Sequence, residues 1–164
     1  MPGATGAEIV DGRLCDRMST PHLVRIGYVS ATQSELSRGQ LDAMLSSWRR
    51  LNARRGITGF FLYHRESVFQ LLEGFPGVVH ELYDTIARDP RHHYVAKLID
   101  EPIRNRTFGD WSMGNARVVR TQFGEVAPLR PFLDPAFRYW HCDEDQAKAL
   151  LSAFTTGPWR RAIS

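Results

Sequence analysis

The stretch from Asn52 to Gly74 constrains this chain more than any other. An apolar run, Ile57–Tyr63, leads into a polar turn, His64–Ser67, and then a second apolar run, Val68–Leu72. Two such runs joined by a short polar connection predict a β-hairpin. Side chains alternate along a strand, so Val68, Gln70 and Leu72 share one face while Phe69 and Leu71 share the other. Gln70 therefore stands on an apolar face between aliphatic neighbours. An amide buried without partners costs about 1–3 kcal/mol, because two donor hydrogens and an acceptor oxygen lose their water. Either something polar meets Gln70 or that face is open to water. For a lone glutamine the water-facing arrangement is the ordinary one; the remainder of the chain shifts the balance.

A chain of 164 residues is one domain's worth, long enough for a substantial core. Its 43% hydrophobic and 24% charged residues are those of an ordinary globular protein. No apolar run approaches the roughly 20 residues of a membrane span, and the first residues lack the layout of a secretory signal. Cys15 and Cys142 lie far apart and match no metal spacing, so a reduced, cytoplasmic protein is expected. The net charge of +3 is mild, and the arginines (Arg49, Arg50, Arg54, Arg55, Arg104, Arg106, Arg160, Arg161) are scattered. That distribution favours a solvated surface over a nucleic-acid patch.

Residues 1–20 are rich in Gly and small or charged residues without period and read as a flexible tail, with Met18 a candidate natural start. Leu23–Ser30 predicts a first strand. Thr32 and Glu35 have capping-box spacing, which predicts a helix starting just after them. Leu41, Met44, Leu45, Trp48 and Leu51 give that helix one apolar face, and Arg54-Arg55-Gly56 ends it. After the hairpin, Phe75-Pro76-Gly77 turns the chain into a second helix with Val78, Val79, Leu82, Tyr83 and Ile86. Asp89-Pro90 closes it, since a residue before proline is pushed out of helical geometry. Tyr94–Ile103 and Phe108–Arg117 read as two more strands.

The order β-α-β-β-α-β-β predicts an α+β, ferredoxin-like sandwich, both helices on one face of a mixed sheet. A slot between the helices, above the central strands, would accept a flat ligand. Residues 21–117 form the predicted domain. Residues 118–164, broken by Pro128, Pro131 and Pro135, then carry a helix over Asp143–Phe154 that is expected to cap the open sheet face or contact a partner.

The sequence contains no Gly-x-Ser-x-Gly, no His-Glu-x-x-His, no Walker-type loop and no dinucleotide fingerprint. His92-His93 is a weak metal pair, since neighbours on a strand point opposite ways. Glu73 beside Gly74 reads as a turn or cap residue rather than a general base. The run Arg55–Leu62 superficially follows the strand motif of RNA-recognition domains, but Ile57 and Gly59 occupy the positions of stacking aromatics. RNA binding is therefore not expected.

One ordered set remains: Ile26-Gly27-Tyr28-Val29-Ser30, Asn52, Gly56-Ile57-Thr58-Gly59, Phe69-Gln70-Leu71-Leu72-Glu73-Gly74, Asp89-x-Arg91-His92, Arg106-x-Phe108 and Trp111-Ser112-Met113. In these residues the chain resembles the BLUF domains, blue-light sensors using FAD, over roughly Leu23 to Asn115. The resemblance implies noncovalent FAD, no catalysis by the domain itself, and output through an unidentified downstream protein. It implies that Tyr28 is the electron and proton donor and that Gln70 bridges it to the flavin. Asn52 would hold the same flavin edge, and Asp89, Arg91 and His92 the pyrimidine end or ribityl chain. Ile57 and Leu72 would pack on the ring, and Trp111 and Met113 would relay the signal, where ordinary core packing is their bland alternative. Some members carry a basic residue in place of Thr85 and an Asn in place of Leu51. An uncovered sheet face would expose apolar area, so a homo-oligomer, dimer or ring, is expected. The alternative is a ferredoxin-like regulatory module for another small ligand.

Overall fold

The computed structural model describes residues 22–109, 112–115, 134 and 136–156, with 112–115 and 156 as backbone. The tail expected over residues 1–20 and Trp111 lie outside the described residues. The elements are β1 (Leu23–Thr32), α1 (Arg38–Arg55), β2 (Thr58–His64), β3 (Ser67–Gly74), α2 (Pro76–Arg88), β4 (His92–Ile103) and β5 (Ser112–Asn115). A 3₁₀ turn (Tyr139–His141) and a last helix, α3 (Glu144–Thr156), follow. The expected β-α-β-β-α-β-β order holds. The strands lie in the order β4-β1-β3-β2-β5, antiparallel throughout except for the parallel β2–β5 pair. This is the expected ferredoxin-like α+β sandwich on a mixed sheet.

Each face of the sheet carries its own core. Val24, Ile26, Tyr28, Ile57, Phe61, Val68 and Leu72 pack beneath α1 and α2, which supply Leu45 and Val79. Val29, Phe60, Leu62, Phe69, Leu71 and Ile99 project the other way and meet Ala147, Leu150, Ala153 and Phe154 of α3. The alternation expected in β3 is thus realised, and the C-terminal helix covers the face that α1 and α2 leave open. Phe154 is central to it, stacked on Phe60 with ring centroids 4.6 Å apart.

Two glycines let the hairpin enter the sheet. Gly56 ends α1 in the left-handed conformation (φ 64°), which a side chain would oppose. At Gly59 (φ 147°) an added Cβ would lie 1.9 Å from the Leu71 carbonyl oxygen, so only hydrogen allows β2 to sit that close to β3. The turn itself is two residues, Arg65 and Glu66, between the paired His64 and Ser67. It is tighter than the polar stretch suggests, because the strands pair to their ends.

Several assignments differ from expectation, among them the start of β4 at His92 rather than Tyr94. The capping box belongs to Ser37 and Gln40, not to Thr32 and Glu35. Thr32 is still in β1, its hydroxyl bonded to the Ser34 and Glu66 carbonyls, because β1 pairs with β4 as far as His92. The described part of β5 is Ser112–Asn115, and Phe108, expected to open that strand, precedes it and is buried against Phe60 at 5.0 Å; residues 116–117 of the expected strand lie outside the described residues. Glu73 is no turn residue: it is fully buried inside β3 and paired with Arg25.

Candidate functional site

Tyr28 and Gln70 stand opposite each other in the β1–β3 ladder, on the face that α1 and α2 cover. The Tyr28 hydroxyl donates to Gln70 Oε1. Tyr28 is 1% exposed and Gln70 4%, which excludes the water-facing arrangement of Gln70. Desolvation by burial, with a smaller contribution from Tyr83, raises the Tyr28 phenol far above its ordinary value, so it keeps its proton. Tyr83 of α2 meets the Tyr28 ring edge-on at 5.6 Å.

Above this pair lies a cavity of about 240 Å³ between the two helices. Its α1 wall is Trp48, Leu51, Asn52 and Arg55; its α2 wall is Leu82, Thr85 and Ile86. Trp48, Asn52 and Arg55 follow the i, i+4, i+7 spacing of one helix face, and so do Leu82, Ile86 and Asp89. Trp48 is fixed edge-on against Phe61 at 5.4 Å. Leu51, expected in the core, is instead 51% exposed at the cavity lip, because the buried stripe of α1 passes through Asn52. The Asn52 side-chain amide is nearly buried, opens into the cavity and has no hydrogen-bond partner among the described residues. A polar ligand edge is what such a group lacks.

Asp89, Arg91 and His92 close the far end, where α2 passes into β4. Arg91 Nη2 and Nε donate to the Asp89 carboxylate at 2.5 and 3.0 Å, and the Arg91 backbone N–H adds a bond of 2.9 Å. The Arg91 hydrogen bonds hold the Asp89 carboxyl down at about 2. His92 Nδ1 is 3.0 Å from the Ser30 hydroxyl, and burial lowers its basicity below the ordinary imidazole value. Gln33 Nε2 donates to the Pro90 carbonyl at 2.8 Å, which ties this corner to the end of β1.

The structure thus gathers six expected residues, Tyr28, Asn52, Gln70, Asp89, Arg91 and His92, around one cavity. Ile57 and Leu72 do not line it; both are fully buried in the core beneath. Met113 belongs to β5, beside β2, and its side chain lies outside the described residues. Trp48, Arg55, Leu82 and Ile86 are wall residues that the sequence showed only as helix faces or helix ends. Their spacing to Asn52 and Asp89 was the available signal. Among the described residues no three His, Cys, Asp or Glu gather as a metal site, and no helix is long and apolar enough to cross a membrane.

The fit to a flavin rests on the unpartnered Asn52 amide, the neutral buried Tyr28 phenol and the buried Gln70 amide, all lining one slot. Those residues would hold the flat ring system of a flavin.

Comparison with known proteins agrees. The family profile "BLUF: Sensors of blue-light using FAD" matches residues 23–114. A photoactivated adenylate cyclase subunit alpha of Euglena gracilis is 29% identical over 127 residues, 70% of this chain and 12% of the cyclase subunit. A subunit beta of Euglena longa is 34% identical over 95 residues, 57% of this chain and 11% of that subunit. The chain therefore spans about an eighth or less of these relatives. Among solved structures, BlrB in its dark state shares 30% identity with a TM-score of 0.60, covering 83% of this chain and 98% of that one. BlsA in its photo-activated state shares 25% with a TM-score of 0.64, covering 82% and 96%. With the match spanning more than half of its length, this chain belongs to the BLUF family of blue-light sensors.

Proposed function

We propose that this protein is a blue-light photoreceptor that binds FAD noncovalently and signals through protein contacts. The observation that carries the reading is the buried Tyr28–Gln70 hydrogen bond facing a slot between two helices. A bound flavin supplies absorption in the blue and, once excited, an electron acceptor.

The chain's own residues supply the rest. Tyr28 would supply an electron to the excited flavin while its hydroxyl proton leaves along the hydrogen bond to Gln70 Oε1, and burial favours losing both together because a free phenolate is disfavoured there. Gln70 has an acceptor oxygen toward Tyr28 and donor hydrogens on its nitrogen. Turning or tautomerising that amide exchanges the two ends and rewires the hydrogen bonds without moving β3. Asn52 holds the polar ring edge, while Asp89, Arg91 and His92 hold the pyrimidine end or ribityl chain. Ile57 and Leu72 act from beneath, as packing that keeps the slot floor in place.

Output is proposed to pass from Gln70 through Trp111 and Met113 to residues 118–164 and a downstream effector. Such relay needs a two-state element whose balance light alters. The Euglena relatives carry the cyclase name, and a relative from Escherichia coli is called an antirepressor, 34% identical over 74 residues, 45% of this chain and 18% of its own length. Neither activity is assigned to this chain, for which no catalysis of its own is proposed. A homo-oligomer in the cytoplasm is part of the same proposal, although α3 covers the sheet face whose exposure was the argument for oligomerisation. The flavin form is open to test, since a Klebsiella pneumoniae BlrP1 structure contains FMN.

The test is direct. Purified protein should be yellow, and blue light should shift its absorption reversibly to the red. Colourless protein that ignores added FAD would favour a ferredoxin-like module for another small ligand.

A further inference from the structure

Register along β3 is poorly specified by its apolar pattern. On the helix side β3 presents Val68, Gln70, Leu72 and Gly74; β1 presents Val24, Ile26, Tyr28 and Ser30. A slip of one residue would turn every side chain to the wrong face, but a slip of two keeps both faces. It would nevertheless set Tyr28 against Val68 or Leu72. No turn fixes this pairing, since β1 and β3 are joined through α1 and β2. Nor does the other neighbour: the β1–β4 ladder shifts register on either side of Tyr28, between Gly27 and Tyr28 and again between Val29 and Ala31.

The opposite sheet face holds a polar row that is specific. Glu101, Arg25 and Glu73 are cross-strand partners on β4, β1 and β3. Arg25 Nε and Nη2 donate to Glu73 Oε1 at 3.0 and 2.8 Å, and Nη1 donates to Glu101 at 3.0 Å. Arg25 also donates to the Thr107 hydroxyl, and Glu73 Oε2 accepts the Phe108 N–H at 3.0 Å. Glu73 is 0% exposed. A two-residue slip would put Arg25 against Leu71 or Phe75 and leave two charges without their partners in a desolvated site. Polar groups in an otherwise permissive core are a known means of fixing register.

We infer that Arg25 and Glu73 are positioning residues: their ion pair, three residues from Tyr28 and Gln70 on the same two strands, selects the register that joins the phenol to the amide. Neither residue lines the cavity. Its role in the light response rests on the sensor reading above; its role in register does not.

Two variants test the inference, read by NMR on the full chain with and without added FAD. Arg25→Leu with Glu73→Leu removes both charges and keeps bulk. The expected result is a folded protein in which cross-strand backbone Overhauser contacts between Tyr28 and Gln70 weaken, backbone Tyr28–Val68 or Tyr28–Leu72 contacts appear, and the red shift falls at least twofold. A single Tyr28–Gln70 register with full amplitude would overturn it. Should that double variant fail to fold, Glu73→Gln retains the shape and most hydrogen bonds. Amide exchange at Gly27–Val29 is then expected to rise about tenfold, with α1 unchanged. Unchanged β1 protection would overturn the inference. A wild-type protein with no red shift but the same strand contacts would instead refute the sensor reading and leave the register claim to these measurements.

Discussion

Tyr28 and Gln70 are direct cross-strand partners, and the phenol donates to the amide oxygen across that pair, although 42 residues separate them in the chain. Both sides are buried, so neither has water as an alternative. Replacing Tyr28 by Phe removes the donor and the redox-active phenol together. We expect flavin binding to persist, the dark spectrum to move by a few nanometres at most, and the red-shifted state to vanish. Absorption spectroscopy before and after illumination checks this; an intact photocycle would refute the donor assignment.

Asn52 makes a separate prediction. Its amide faces the cavity without a protein partner among the described residues, so a ligand bond would be its main satisfaction. Asn52→Ala should weaken flavin binding by about tenfold, the equivalent of about 1.4 kcal/mol for one lost hydrogen bond. Fold stability should change little. Titration with FAD followed by flavin fluorescence reads the difference.

His92 gives the structure a pH dependence with a definite sign. Burial holds its folded basicity below the ordinary 6.5, so the unfolded chain takes up the proton first as pH falls. Its neutral, folded form is therefore fully favoured above pH 6.5, and stability is lost progressively below that value. Asp89 acts in a lower window: its folded value is about 2 against 3.8 unfolded, so its contribution fades only between those two. Its partner Arg91 is largely exposed, so its share is small. Melting temperatures measured between pH 7.5 and 5 should fall in the wild type, and His92→Gln should flatten that slope.

On the opposite face, Phe154 of α3 is fully buried against Phe60. Phe154→Ala should cost about 3–5 kcal/mol, lowering the urea midpoint. The flavin spectrum of the folded fraction should not change, since the cavity lies across the sheet. A spectral change would mean that the packing beneath α3 already shapes the cavity in the dark.

Trp111→Ala and Met113→Ala distinguish relay from packing. Dark-recovery rate or effector binding should change several-fold while flavin affinity stays within about twofold. Loss of folding alone, seen by circular dichroism, would make both residues ordinary core.

Much of this was legible along the chain. The parity of Gln70 among Val68 and Leu72, the helix end at Gly56 and the stop at Asp89-Pro90 are local signals, and each appears where its neighbours dictate. Thr32 shows the limit of such signals: its capping-box spacing was real, yet pairing of β1 to His92 kept it in a strand. Leu51 shows another, since helical period alone did not say that Asn52 would be buried and Leu51 half exposed.

Along the chain alone one could read the element order and the two faces of β3, because periodicity, caps and turns act within about ten residues, and the ordered motifs already pointed to the family. The tertiary structure decided which residues meet. Only strand pairing at long range put Tyr28 on Gln70, and Arg25 between Glu73 and Glu101. Only the packing of α1 beside α2 left a cavity for Asn52 to face. Such contacts depend on loop closure and register across tens of residues, which no local spacing encodes.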